Sequence, residues 1–298
     1  MKRKAIGAAC AALILASCAG LPKTPPPPDV SFPVDFSAIT RFTEAYRLMR
    51  YDTRPQIEAA VGAAYDDFAL VDLPATKNRY MIGTLLGARR QEIWIRGTAN
   101  FRNALYDLRF GMHRNEKLGI NLHHGFEMMS QALYSDILPR LRKDFDIVLF
   151  GHSLGAAEAV VLGMLLDADH YRVTKIYASG QPRVTDAEGE KAFDHLPILR
   201  IVNVDDPVPY LPPRTIDSRT DPFVHIGPAV VLLKGAYYAL LGEDQGDEAL
   251  AQGFWSTLGQ EGPGEPVTDH LVPAYLARLT PKLIAAQQVP WADRGLYR

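Results

Sequence analysis

The chain has 298 residues, enough for one large α/β domain or two small ones. Its hydrophobic content of 47% and charged content of 22% are typical of a globular protein with a substantial core. The formal net charge of -2 does not favour nucleic-acid binding, and no polybasic run occurs beyond the N-terminus.

The N-terminus has the pattern of a targeting segment. Basic residues Lys2 to Lys4 precede an apolar stretch that runs from Ala5 to Ser17. This stretch is too short to cross a bilayer as a helix. Residues 1–17 are therefore predicted to form a signal peptide that is removed.

The end of this segment, Leu-Ala-Ser-Cys at residues 15–18, resembles the lipoprotein box of bacteria. The resemblance implies a bacterial lipoprotein in which Cys18 is lipidated and becomes the new N-terminus; a plain secretory signal is the alternative. Several acyl chains anchor a protein stably, whereas one gives only marginal affinity. The proline-rich residues 18–35 then form a lipidated linker. Ala19, in place of the aspartate linked to inner-membrane retention, favours the outer membrane, on its periplasmic or surface face. Cys10 leaves with the signal, so we expect no disulfide within the mature chain.

Helical and strand patterns alternate from about Phe36 to the C-terminus, with no second linker and no internal repeat. The spacing of apolar residues predicts helices at 37–49, 55–65, 126–142 and 271–287, and a further helix from the turn after residue 150 to about Leu166. It predicts strands at 80–86, 91–95, 146–150, 174–178 and 198–204. Such alternation favours a mainly parallel central sheet with helices on both faces. We therefore expect residues 36–298 to form a single domain of α/β-hydrolase fold.

One apolar stretch, residues 229–241, is harder to interpret. We expect it to be a core-packing helix, and the alternative is a second lid or a lipid-docking surface near the site. It is too short to span a membrane.

The sequence Gly-His-Ser-Leu-Gly at residues 151–155 lies between a predicted buried strand and a tightly packed helix. A serine on a sharp turn between strand and helix is the G-x-S-x-G nucleophile elbow. This context predicts Ser153 as a nucleophile, with the backbone N–H of Leu154 as one oxyanion donor.

A serine hydroxyl needs a histidine to take its proton and a carboxylate to orient that histidine. In α/β-hydrolases these follow the serine in the order acid, then histidine. Asp205 and Asp206 follow the strand at 198–204, so an acid there excludes His170 and His195 as the base. His225 and His270 then remain, and His225, between apolar neighbours, has the pattern of a structural strand residue.

Five ordered segments between about residues 75 and 280 resemble class 3 lipases, the fungal-lipase-like family. They are the strand ending in Arg-Gly-Thr at 93–98, the His-Gly-Phe of 124–126, the segment Ser-Gly-Gln-Pro-Arg-Val at 179–184, the acid loop at 200–213, and the Asp-His-Leu ending within 269–275. Ala156 is a departure, because many relatives have a second glycine there.

The resemblance implies Asp206 as the catalytic acid, with Asp205 a solvated neighbour, and His270 as the base. It also implies that Thr98 gives the second oxyanion donor, and that a lid helix occurs in residues 100–108. His152, Asp269 and the pair His123-His124 are better explained as packing or orienting residues. A metal site at His123-His124 is not expected, since adjacent residues on an extended chain point to opposite faces.

These observations together predict a serine hydrolase that cleaves carboxylic esters of lipids through an acyl-enzyme, with no cofactor and no metal. The expected partners are a lipid ester substrate and a membrane, contacted through Cys18; no nucleic acid is expected. A phospholipase A1 or a short-chain esterase would use the same triad. A non-catalytic lipoprotein that binds lipid or a partner is the remaining alternative.

Overall fold

The computed structural model describes residues 31–97, 111–212, 223–242, 250 and 267–298. Their strands are β1 (Asp67–Leu73), β2 (Asn78–Leu85), β3 (Arg90–Ile95), β4 (Met112–Asn115), β5 (Ile120–His123), β6 (Asp146–His152), β7 (Arg172–Ser179), β8 (Ile198–Asn203), β9 (Ala229–Leu232), β10 (Tyr237–Leu241) and β11 (Gln287–Gln288). Their helices are α1 (Phe36–Tyr51), α2 (Arg54–Ala60), α3 (His124–Ile137), α4 (Leu154–Ala168), α5 (Ala187–Phe193) and α6 (Val272–Leu279).

Nine of these strands form one sheet in the order β1-β2-β3-β6-β7-β8-β9-β10-β11. The middle of the sheet, from β3 to β9, is parallel. The edges are mixed, since β1, β2 and β3 pair antiparallel, as do β9 and β10. β4 and β5 form a separate hairpin. The predicted α/β-hydrolase fold, with a mainly parallel sheet covered on both faces, is confirmed.

The central strands are buried along nearly their whole length, as strands covered on both faces must be. Successive side chains of β3 enter different cores: Ile93 and Ile95 pack with α3 and α4, whereas Trp94 packs with α1 and α6. The sheet therefore divides the hydrophobic core into two layers. Its central strands β6 and β8 carry the residues of the candidate site at their carboxyl ends.

The prediction of a helix at 229–241 is wrong. The stretch forms β9 and β10, which pair antiparallel around a turn at Gly235, whose φ is +60°. Both strands are integral to the sheet and mostly buried, so the stretch is not a lid or a lipid-docking surface either. A short apolar run does not distinguish a buried helix from a buried strand by its periodicity, and the two strands of four and five residues are short.

The other differences concern missed elements and element boundaries. β1, the β4–β5 hairpin and α5 were not predicted. The final helix ends at Leu279, where Thr280–Leu283 tightens into a 3-10 turn containing Pro281. The helix predicted at 126–142 ends at Ile137, just before Pro139. Proline has no backbone N–H to continue an α-helix, which explains both early ends.

Among the described residues, no helix is long and apolar enough to cross a membrane. The predicted signal peptide at residues 1–17 and Cys18 lie outside those residues.

Candidate active site

Ser153 lies on a strained turn between two buried elements. β6 ends at His152 and α4 begins at Leu154, while Ser153 itself has φ 59° and ψ −128°. A serine at positive φ is uncommon, and such strain is maintained only where the surrounding structure enforces it. A Cβ on Gly151 would lie 2.1 Å from the carbonyl oxygen of Gly155, so the turn requires glycine at that position.

The carboxyl end of β3 lies against the first turn of α4. A Cβ on Gly155 would lie 2.1 Å from the Ile95 carbonyl oxygen, and one on Gly97 would lie 2.7 Å from the Gly155 nitrogen. The backbone of residues 95–97 thus contacts the start of the helix, whose first amides have no acceptor within the helix itself. Leu154 supplies the first of these amides. Thr98 lies outside the described residues.

Asp206 and His270 form a buried pair. His270 Nδ1 lies 2.7 Å from Asp206 Oδ2, and their side chains are 2% and 0% exposed. An ionised carboxylate can only accept, so Nδ1 of the neutral ring donates to it and Nε2 is left without a proton. Nε2 is the nitrogen that can then take a proton from a hydroxyl. His270 and Ser153 line the same pocket.

Two further donors fix the carboxylate of Asp206. The Val208 amide donates to Oδ1 at 2.9 Å, and the Tyr275 hydroxyl donates to Oδ2 at 2.6 Å. Burial, followed by the charge of Asp206, raises the pKa of Tyr275 well above its ordinary value, so its hydroxyl remains a donor. In the sequence, Tyr275 is noted only as part of the segment at 269–275 and without a role of its own. Its place in the first turn of α6, soon after His270, is the signal that could have identified it.

His152 holds His270 from the other side. Its ring stacks on the His270 ring with centroids 4.8 Å apart, and its Nε2 lies 2.8 Å from the His270 carbonyl oxygen. Since that oxygen can only accept, Nε2 donates, and Nδ1 accepts from the Ser179 hydroxyl at 3.1 Å. Burial, with a contribution from His270, lowers the pKa of His152 well below its ordinary value. His152 is thus a neutral residue that orients the backbone of His270.

Gly180 leaves the space that these rings fill. It has φ +58°, and a Cβ there would lie 2.9 Å from His270 Cε1, 3.1 Å from the Tyr275 hydroxyl and 3.2 Å from His152 Cε1. Positive φ and the close approach of three side chains both favour glycine. In the sequence, Gly180 is only part of the segment at 179–184, and its contacts with the His270, Tyr275 and His152 side chains could not be predicted.

Two buried side chains, Arg183 and His225, support the loop that carries Asp206. Arg183 donates through Nη1 to the carbonyls of Tyr210 at 2.6 Å and Pro212 at 2.9 Å. His225 Nε2 lies 2.5 Å from the Pro209 carbonyl oxygen. His225 adjoins a single β-bridge at Val224 and does not belong to a strand as predicted, although it is fully buried. Both residues support the acid loop.

The other acidic residues near this loop face arginines. Asp205, the alternative acid, pairs with Arg278 at 2.9 Å and with Arg298. Asp269 lies 3.8 Å from Arg278, and its carbonyl accepts from Asn203 Nδ2 at 2.7 Å. Of the two neighbouring aspartates, Asp206 is therefore the one whose carboxylate contacts His270.

Ser153 and His270 open onto the same surface pocket. Aromatic and aliphatic side chains form much of its wall, namely Tyr46, Tyr51, Leu271 and Val272. Tyr51 and Leu271 are 53% and 44% exposed, which is high for large apolar residues. The pocket thus combines the Ser153 hydroxyl and the His270 ring with a wall that is largely apolar and also includes Arg50 and Arg96.

Part of this chain is similar to known lipases. Residues 93–216 match the family model described as Lipase (class 3). The chain is 29% identical over 149 residues to a lipase of Rhizopus niveus, an alignment that covers 44% of this chain and 36% of that protein. It is 31% identical over 142 residues to the secreted mono- and diacylglycerol lipase A of Penicillium camembertii, covering 45% of each. The matched part is less than half the length of either relative.

Solved structures extend the likeness to most of the fold. A triacylglyceride lipase of Rhizomucor miehei matches with a TM-score of 0.59 and 21% identity, over 84% of this chain and 98% of the other. Lipase II from Rhizopus niveus matches with a TM-score of 0.58 and 20% identity, over 79% and 94% of the two chains. At these identities the likeness establishes the α/β-hydrolase fold.

Proposed function

We propose that the chain hydrolyses carboxylic esters of lipids with Ser153, His270 and Asp206 as its triad, and the match of residues 93–216 to the family model described as Lipase (class 3) supports this proposal. The observation that carries the proposal is the buried Asp206–His270 hydrogen bond of 2.7 Å, in the pocket that Ser153 also lines. A strained nucleophile, an oriented base and a fixed acid are the parts that this reaction needs.

In the proposed reaction, Ser153 Oγ attacks the ester carbonyl while His270 Nε2 takes the hydroxyl proton. Asp206 stays ionised and stabilises the imidazolium through Nδ1. The carbonyl oxygen becomes an oxyanion that accepts from the Leu154 amide, and we assign the second donor to the amide of Thr98. Collapse breaks the ester C–O bond, and the leaving alcohol takes the proton back from His270. Water then attacks the acyl-enzyme by the same steps, which releases the acid and restores Ser153.

The proposed substrate class is an acylglycerol. Two kinds of support favour it: the names of the relatives, among them a mono- and diacylglycerol lipase, and the apolar pocket wall of Tyr46, Tyr51, Leu271 and Val272. A phospholipase A1 or a short-chain esterase would use the same triad and differs only in the ester accepted. Relative rates on emulsified triacylglycerol, phosphatidylcholine and a soluble butyrate ester separate the three.

We also propose that the chain is a bacterial lipoprotein, anchored through Cys18 and located in the outer membrane. Support comes from the sequence pattern of residues 1–18. A Cys18→Ser variant, expressed in a bacterial host, is expected to leave the membrane fraction while keeping its activity on a soluble ester. Equal membrane association of the variant would contradict the anchor and leave the triad untouched.

The triad is tested by Ser153→Ala with a p-nitrophenyl ester. We expect kcat to fall by at least about 10⁴-fold, since removing a triad nucleophile abolishes the covalent route. Ser135→Ala is the matched control, because Ser135 is an exposed serine on α3 that bonds only its own helix, through the Gln131 carbonyl. Wild-type turnover by folded Ser153→Ala protein would refute the proposal.

A further inference from the structure

A second cluster of chemically capable side chains lies outside the Ser153 pocket. Ligand atoms of His113, His124 and Glu127 all lie within 4.8 Å of one another. His113 Nδ1 and Glu127 Oε2 lie 3.2 Å apart. The rings of His113 and His124 have centroids 5.3 Å apart. None of the three residues lines the pocket of Ser153 and His270.

The β4–β5 hairpin and the first turn of α3 bring these residues together. In the hairpin, Met112 pairs with His123 and His113 with Leu122, and the His113 ring reaches that of His124, at the start of α3, with the centroids 5.3 Å apart. Glu127 follows His124 by three residues and so lies on the same face of the helix. His123 instead stacks on Phe126, with ring centroids 4.2 Å apart. The rings of the neighbours His123 and His124 thus contact different residues. The ring of His124 contacts that of His113, which lies on the other strand of the hairpin.

We propose that His113, His124 and Glu127 form a binding site for a divalent transition-metal ion of the zinc class. Two imidazoles and one carboxylate are a donor set that zinc accepts, with a fourth position left for water. Bonds of about 2.0–2.1 Å in a tetrahedral site place ligand atoms about 3.4 Å apart. One pair already has this spacing, and the others need to close by little more than an ångström. His113 can make that movement, since its side chain is 59% exposed.

The surroundings of Glu127 favour this role. Asn115 Nδ2 donates to Glu127 Oε1 at 2.8 Å, which fixes the carboxylate and directs Oε2 toward His113. Such an outer hydrogen bond orients a metal-ligating carboxylate. The Glu127 side chain is 16% exposed, so its charge is only partly screened by water. Metal bound here would connect the β4–β5 hairpin to α3.

The competing explanation is a simple ion pair between protonated His113 and Glu127, and titration with Zn²⁺ distinguishes the two. The purified full chain, stripped with a chelator and dialysed at pH 7.5, is titrated with ZnCl₂ by calorimetry. We expect one Zn²⁺ per chain at this site, and a Tm that rises with Zn²⁺ because the ion binds the folded state. His113→Ala and Glu127→Gln should each weaken that binding at least about tenfold, since even outer-contact losses cost that much.

His195→Ala is the matched control, because His195 is also exposed and pairs with a carboxylate, Asp167, at 3.0 Å. It should bind Zn²⁺ as the wild type does, and so should Ser153→Ala, which separates this site from the proposed catalysis. Circular dichroism without metal confirms that each variant is folded. If Glu127→Gln does not fold, His113→Ala alone tests the proposal. The proposal is overturned if wild type binds no Zn²⁺, or if His113→Ala binds it as tightly as His195→Ala.

Discussion

Glu158 makes the stability of this protein depend on pH in a direction opposite to that of most carboxylates. It lies on α4, is fully buried, and accepts a hydrogen bond from Asn78 Nδ2 through Oε2. Burial raises its pKa from 4.5 to about 8, against the smaller opposing effects of Asn78 and Arg96. Glu158 is therefore protonated and neutral in the folded state at neutral pH, on the helix that begins directly after Ser153.

The direction of this pH dependence follows from the numbers of protons bound to the folded and the unfolded states. Between pH 4.5 and about 8 the folded state holds a proton on Glu158 that the unfolded state has lost, so the free energy of unfolding falls as pH rises. At about 1.4 kcal/mol per pH unit, the loss by pH 7 is about 3 kcal/mol. Most of this loss of unfolding free energy develops between pH 5 and 8, and the loss levels off above the folded-state pKa of Glu158.

Glu158→Gln removes this titration, because glutamine has the shape and the neutral charge of the protonated acid. Urea denaturation from pH 5 to pH 8 measures the effect. Relative to wild type, the variant should gain about 2–3 kcal/mol of unfolding free energy between pH 5 and pH 7. Glu58→Gln, which changes a half-exposed surface carboxylate paired with Arg54, controls for the loss of a glutamate. Parallel stability curves for Glu158→Gln and wild type would refute this account.

Two substitutions test how the candidate triad is positioned. Tyr275→Phe removes a buried donor to Asp206. We therefore expect a loss of about 1–3 kcal/mol of stability and a roughly tenfold lower kcat with little change in KM. An unchanged kcat on a p-nitrophenyl ester would show that the hydroxyl does not position the acid. Gly180→Ala places a methyl group 2.9 Å from the His270 ring at φ +58°, whereas Gly235→Ala has the same backbone penalty at φ +60° with nothing within 4 Å. Urea denaturation should show each losing about 1–2 kcal/mol from positive φ, but only Gly180→Ala should lose turnover, and equal activities would contradict the close fit around His270.

The sequence predicts the local parts of this fold better than its distant contacts. Ser153 could be predicted as the nucleophile because strand, turn and helix are contiguous, and chain order then limited the candidates for the acid and the base. Tyr275 and Asp206 are 69 residues apart, and their hydrogen bond arises only when α6 packs against β8. Gly180 contacts His270 and His152 for the same reason, so no local pattern reveals its role. Such contacts depend on tertiary packing, which periodicity does not encode.

The wrong prediction at residues 229–241 has an equally physical cause. Residues 229–241 were predicted as a helix because an apolar run shows no period, whereas the turn at Gly235 divides it into two strands. The expectation that His123 and His124 form no metal site remains a prediction, and it considered only neighbours along the chain. It could not include His113, which reaches His124 only through the pairing of β4 with β5. Thr98 and Cys18 remain predictions from the sequence.

The central claim is that Ser153 is an activated nucleophile, and a fluorophosphonate probe tests it most directly. The probe phosphonylates serines whose hydroxyl is activated by a base, and mass spectrometry of the digested protein locates the adduct. The account predicts an adduct on Ser153 in wild type, none in Ser153→Ala, and labelling slowed by at least about 10³-fold in His270→Ala. Absence of the adduct on Ser153, or equal labelling rates in wild type and His270→Ala, would contradict it.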